Sequence, residues 1–495
     1  MDFEFSVFKH LKIFIMLFNE KDLCLRKLLC AIGIVAVAQF MSCKTDDVEE
    51  VRNESSSPQQ EQKEEPSLNY KALFSSNHTM GMDEARELAL DAASLFAGEG
   101  NGLKSGRARQ IEEVRVLRSD ETTLRSGSGE VVAIPDTLAY VCNFADSAGF
   151  AIICADDRVG CPILACVDNG SLGEDTDNPG LAIFLDNAQV FMRNSIASFE
   201  MEKDSLLEVA KREIEEKDSL PRNELRRVYA GTYTLLCGVE EVKPLLKTTW
   251  GQGVSPYNAS TPKCVCHGKQ TKAGCWATAI AQVMAYYRYP KDVSNCIPHS
   301  PSFEMDWEGM TVSADAKAVT VTESSKRMVS LLHYFIGRNI DMDYGCDGSS
   351  AKPRKAMSYL NKIGYSGCNT KDYSFSAVKA QLDNRRPVLM TGERKKVLFV
   401  TYKGHAWVVD GYSAASVEYY YYTLDTNTGR TSNRRFSPGY ENPLLHINWG
   451  WEGSNNGYFA AGCFDCSKSE MFDRNTDNNN SYNYQYDLEI HPAWR

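Results

Sequence analysis

Four stretches of the chain hold residue types suited to acyl chemistry at a carbonyl. The first is Gly274-Cys275-Trp276-Ala277-Thr278-Ala279-Ile280-Ala281-Gln282-Val283-Met284. A polar loop with Gly and Lys precedes it, and the chain then turns apolar nearly all round, as a buried helix does. Cys275 would open that helix, where the dipole favours thiolate, the nucleophilic form of sulfur. The plain alternative is a small hydrophobic core cysteine.

The second stretch, Lys403-Gly404-His405-Ala406-Trp407-Val408-Val409-Asp410-Gly411-Tyr412, reads as a strand entered through a glycine. His405 follows Cys275 by about 130 residues, the papain-like order of cysteine first and histidine downstream. An imidazole beside the thiol can take its proton and later give one to the leaving amine. Asp410 is an odd number of residues from His405, so on a regular strand it faces the other way and reads as structural. In Leu444-Leu445-His446-Ile447-Asn448-Trp449-Gly450-Trp451, the Asn448 side chain could orient His405 and Trp449 could shield that bond. His446, on the same face as Asn448, is a rival base. The fourth stretch is Thr249-Trp250-Gly251-Gln252-Gly253-Val254-Ser255-Pro256-Tyr257-Asn258. Its Gln252 amide could donate to an oxyanion together with the Cys275 N–H.

Together these stretches resemble the streptopain type of papain-like cysteine peptidase. The resemblance rests on Gln252 to Asn258, Gly274-Cys275, Met342-Asp343-Tyr344-Gly345, Gly404-His405-Ala406 and His446 to Trp451, in that order. It extends upstream through Gly149-Phe150-Ala151-Ile152-Ile153-Cys154-Ala155-Asp156-Asp157-Arg158, which resembles the inhibitory prodomain of such enzymes. The resemblance implies an α+β papain-like catalytic domain preceded by an α+β inhibitory prodomain. It implies Cys275 as nucleophile, His405 as base, Gln252 at the oxyanion, and Asn448 and Trp449 behind the histidine. Ser350 and Gly404 fall where the family touches the substrate backbone, with Ser349 the alternative to Ser350. The implied partners are protein or peptide substrates, with the chain's own propeptide as intramolecular inhibitor and no cofactor. The family's glycine-rich loop near the C-terminus is replaced by an Asn- and Asp-rich stretch, Asp473 to Asn483.

Other chemistries compete. Cys264-Val265-Cys266-His267 and Cys463-Phe464-Asp465-Cys466 hold metal-ligand residue types, but without the paired spacing of zinc sites. No metal is assigned, and no disulfide pairing among the 16 cysteines. A catalytically dead surface binding lipoprotein and a Cys-His acyltransferase stay open as alternatives. The complete set Gln252, Cys275, His405 and Asn448 weighs against decay.

The elements that must position these residues follow. Residues 70–227 read as a propeptide. A helix begins near Asp83, with an apolar face of Ala85, Leu88, Ala89, Ala92 and Phe96. Strands then run over Thr137 to Phe144, Phe150 to Ala155 and Cys161 to Val167, the first two joined by a turn at Asp146 to Gly149. A charge-dotted helix over Leu181 to Arg227 breaks near Pro221. Residues 228–495 form the catalytic domain and hold every tryptophan. An activating cut is expected near Arg226-Arg227, in a linker. Lys44 to Ser67, within a tether over 43–69, has almost no large apolar residue and reads as disordered. Leu28 to Met41 is an apolar run of about 14 residues behind Arg26-Lys27, the size of a signal h-region within residues 1–42. It ends at Ser42-Cys43, a lipobox-like site, so the chain is expected to be exported, with Cys43 lipidated as its membrane anchor. A net charge of -11 argues against nucleic acid as the main partner.

Overall fold

The computed structural model describes residues 69–96, 109–125, 130–218, 226–233, 238–292, 304–311, 322–393, 404–425, 435–465 and 488–495. The expected signal segment, Cys43 and the tether lie outside the described residues. So do Cys466, Pro221 and the Asn- and Asp-rich stretch.

Two helices come first, α1 (Tyr70–Phe74) and α2 (Met82–Phe96). The expected apolar face of α2 is buried. That helix starts at Met82, so Asp83 lies in its first turn, where a carboxylate meets the positive end of the dipole, and does not cap it. Strand β1 (Ile111–Arg118) and a small hairpin, β2 (Thr123–Arg125) and β3 (Val131–Ala133), follow. Next come β4 (Thr137–Phe144), β5 (Phe150–Cys154) and β6 (Ile163–Val167). In the turn from β4 to β5, Gly149 has φ 100°, and any side chain there would strike the Val167 carbonyl.

Helix α3 (Pro179–Asp218) is capped by Asn178, whose Oδ1 accepts from the N–H groups of Gly180 and Leu181. It ends before Arg226, and the expected linker is absent at Arg226-Arg227. Those residues open strand β7 (Arg226–Tyr233), because an antiparallel partner, Leu424 and Asp425, lies alongside.

The rest of the chain gives β8 (Gly238–Val242), α4 (Cys275–Tyr287), α5 (Trp307–Thr311), α6 (Glu323–Asn339), β9 (Asp343–Tyr344) and β10 (Ser349–Ser350). Then come α7 (Pro353–Lys362), β11 (Lys371–Asp372), α8 (Phe375–Asp383), β12 (Val388–Gly392), β13 (His405–Asp425), β14 (Arg435–Asn448), β15 (Gly457–Ala460) and β16 (Glu489–Pro492).

One mixed-origin sheet organises the fold, in the order β1-β4-β5-β6-β15-β14-β13-β12-β16-β11, with β7 and β8 also paired to β13. The seam between the propeptide strands and the later strands is β6 against β15, antiparallel, with Val167 opposite Gly457 and Ala165 opposite Phe459. Strand alternation sorts the apolar side chains of the central strands into two cores. Val388, Met390, Trp407, Val409 and Ile447 pack with Leu181, Phe184 and Met192 of α3. Leu389, Ala406 and Val408 pack on the other face with α4, α6 and α7. Both faces are covered, so these strands read as continuous apolar runs. The architecture is α+β, and the strands of residues 111–167 share one sheet with the later strands.

Candidate active site

Cys275 is the first residue of α4, and Gly274 before it has φ 93°. A side chain at Gly274 would also stand 2.7 Å from Met342, so glycine lets the loop reach the helix start. Burial pushes the Cys275 thiol pKa up, and the N–H groups of Ala406, Trp276 and Cys275 work in the opposite direction. These amides and the N-terminal end of the helix dipole act together in favour of the thiolate, against burial.

His405 opens β13, paired opposite Gly392 of β12. It shares strand parity with Trp407, whose ring lies stacked 6.1 Å from its own. Nε2 bonds to the Trp449 carbonyl at 2.8 Å. A carbonyl only accepts, so Nε2 carries the proton. Burial holds the His405 pKa down at about 4; the Trp449 carbonyl opposes this and Lys272 adds to it. The imidazole is therefore neutral near pH 7, and no hydrogen bond joins it to Cys275 among the described residues. Trp451 stands edge-on to His405 at 6.0 Å, with Lys272 Nζ over its indole at 5.2 Å.

The propeptide supplies the floor beneath this histidine. A methyl group on Gly180, in the first turn of α3, would overlap the Trp449 ring and stand 2.8 Å from His405 Cδ2. Only a glycine lets α3 start so close to both. Sequence reasoning missed Gly180, because nothing local marks a contact spanning so much chain.

Asn448 corrects an expectation. In this state it does not orient His405. It pairs opposite Val408 and so faces α4. Its Oδ1 accepts from Gln282 Nε2 at 3.1 Å and from Gly450 N, and its Nδ2 donates to the Thr248 carbonyl at 2.8 Å. The histidine is held instead by the backbone of the next residue. The Trp449 ring, expected to shield a His–Asn bond, is fully buried against Trp407 and Phe459. Gln282 was also missed. Its Oε1 accepts from Thr248 Oγ1, Trp250 N and Asn448 Nδ2, tying α4 to the Gln252 loop and to the end of β14. A lone glutamine inside an apolar helix was the available signal, since a buried amide needs partners.

The remaining residues sort as follows. Gln252 is buried two residues beyond Trp250, and its carbonyl accepts from Ala273 N, close before Cys275. Gly404 is exposed beside Glu393 at the head of β13. Ser350 is exposed opposite Asp343, whereas Ser349 donates to the Lys272 carbonyl at 2.7 Å and stands 3.4 Å from a methyl built on Gly274. His446 is no rival base. Its Nδ1 bonds Asp410 at 2.6 Å in a buried pair, and Asp410 also accepts from Leu246 N. Burial opposes charge on His446, but Asp410 outweighs it and the pKa is raised.

The fold and this site define a cysteine-type peptidase built with an inhibitor prodomain. Residues 250–459 match the Peptidase C10 family, and residues 85–192 match the Spi protease inhibitor family. Streptopain of Streptococcus pyogenes is 27% identical over 409 residues, covering 75% of this chain and 83% of its own. The thiol protease/hemagglutinin PrtT of Porphyromonas gingivalis is 22% identical over 351 residues, covering 66% of this chain and 34% of its own. A solved fragment of Prevotella intermedia prointerpain A is 21% identical, with a TM-score of 0.43, over 74% of this chain and 96% of that one.

Proposed function

We propose that Cys275 is the nucleophile and His405 the general base of a peptide-hydrolysing zymogen, silent until the prodomain leaves. The observation that carries this is the sulfur itself. It sits half-buried at a helix start, where the N–H of Ala406, the residue next to His405, favours its thiolate. Once His405 turns from the Trp449 carbonyl toward the sulfur, proton transfer gives a thiolate–imidazolium pair. The thiolate attacks the substrate carbonyl, and the oxyanion is met by the Gln252 amide and the Cys275 N–H. His405 then protonates the departing amine and activates water for release of the acyl group. Gly404 and Ser350, with Ser349 beside it, border the substrate backbone.

In the intact chain two barriers oppose this sequence. Gly180 packs against His405, and the imidazole is engaged with Trp449. A cut near Arg226-Arg227 would sever the covalent link between α3 and the following strands, leaving the docked prodomain free to dissociate. Export, with lipid attachment at Cys43, completes the reading and rests on the sequence alone.

The test is epoxide labelling and casein hydrolysis by processed wild type and Cys275→Ala. Labelling and hydrolysis should vanish in the variant; equal hydrolysis by both would end the assignment. Gln252→Ala should lower kcat by about 100-fold, as loss of one oxyanion donor does.

A further inference from the structure

Away from the reacting sulfur, three other sulfurs meet. Cys264 and Cys346 form a disulfide with a Cα separation of 5.1 Å. Cys266 is free and exposed. The Sγ atoms of Cys264, Cys266 and Cys346 all lie within 4.8 Å of one another. A tight turn holds them there. Cys264 N donates to the Lys269 carbonyl, Gly268 N donates to the Cys264 carbonyl, and Gly268 has φ 70°. The Cys266 N–H points at Cys264 Sγ at 3.2 Å.

This arrangement has the parts of an exchange reaction: an accessible thiol, a disulfide within reach and a supported leaving sulfur. We infer that Cys266 and the Cys264–Cys346 bond form a thiol–disulfide exchange site that sets the position of the β9–β10 hairpin beside the substrate cleft. The Cys266 thiolate attacks Cys346 Sγ. The Cys264–Cys346 bond breaks, a Cys266–Cys346 bond forms, and Cys264 leaves as a thiolate that the Cys266 N–H stabilises before it takes a proton. Electrons balance without an external oxidant or reductant.

The two linkages are not equivalent. In one the hairpin is tied to a buried residue, in the other to an exposed one two positions along the chain. Cys346 lies between β9 and β10, three residues before Ser349. Ser349 is bonded to the Lys272 carbonyl and packed under Gly274, next to Cys275. Moving the tether therefore moves the wall of the cleft. This consequence rests on the peptidase reading, whereas the exchange itself does not.

The experiment uses the full-length Cys275→Ala chain, so that the reactive thiol cannot interfere. It is incubated with a trace of glutathione, quenched with N-ethylmaleimide and digested without reduction. Fragment spectra then locate the alkylated sulfur in the Cys264–Lys269 peptide. Exchange predicts two populations, alkylated at Cys266 and at Cys264, with Cys346 linked to the other cysteine. Alkylation at Cys266 alone would overturn it, as would stoichiometric zinc protecting all three sulfurs. In the active enzyme, Cys264→Ser should retain a disulfide, now Cys266–Cys346. Its KM for a peptide should differ from that of Cys266→Ser by about tenfold at equal epoxide-titrated Cys275, the scale of lost positioning contacts. Free Cys266 and Cys346 in Cys264→Ser, or identical KM values, would overturn the proposal. If Cys275→Ala proves as active as wild type, the peptidase reading falls while the alkylation map still stands.

Discussion

At position 282 a glutamine amide lies inside a helix whose neighbours are Ile280, Ala281, Val283 and Met284. Its carbonyl oxygen serves Thr248, Trp250 and Asn448, and its NH2 serves Asn448 again. Removing it strands several buried polar groups at once, each costing more than a typical hydrogen bond returns. Gln282→Leu should therefore lower folding stability by about 3 kcal/mol. Urea unfolding of the full chain in the Cys275→Ala background measures this, and a change within error would show that the network is slack. Residue types singled out Cys275 and His405, because their chemistry is rare and their order informative, and the structure places one at the start of α4 and the other at the head of β13. The same reading gave Asn448 a neighbour that it does not have in this state. Register decides its face, and register depends on a bulge at Asp410, between the pairs Val409–Ile447 and Gly411–His446, that no residue type announces.

Among the elements, α3 and β13 decide whether the site is open. Helix α3 can begin against His405 because Asn178 caps it and Gly180 carries no side chain. Gly180→Val should push the helix start off His405 and Trp449. Epoxide labelling of Cys275 in the uncut chain should then rise by about tenfold, as expected when a closing contact worth little more than 1 kcal/mol is lost. Labelling as slow as in wild type would show that Gly180 is not the latch. Helix α2, strands β4 to β6 and helix α4 were readable from apolar periodicity. The strand at Arg226-Arg227 was not, because its reason for being extended is a partner almost two hundred residues away, about the separation at which local pattern carries no information. The Cys264–Cys346 pairing was hidden for the same reason.

Across the whole molecule, buried imidazoles set the response to acid. Burial lowers the pKa values of His333, His405 and His491 to about 4 each. A base with a depressed folded pKa contributes stability in full above its ordinary value, and that contribution is lost as pH falls through that value toward the folded one. His446 has the opposite sign, helping at low pH and losing its contribution as pH rises through its raised pKa. The loss from His446 falls above its ordinary pKa, whereas the three depressed imidazoles act below theirs. The thermal midpoint of the full-length Cys275→Ala chain should therefore fall between about pH 6.5 and pH 5. A flat calorimetric profile across that window would contradict the burial of these rings. The seam between β6 and β15 has its own outcome. Cutting the chain between α3 and the strands after β7 breaks no backbone hydrogen bond of that seam and uncovers none of the core beneath α3. Scission alone therefore yields two polypeptides still docked as a heterodimer, and their separation obeys mass action. Activity would then appear on dilution, so that a concentrated solution keeps a nicked enzyme quiet and a dilute one wakes it.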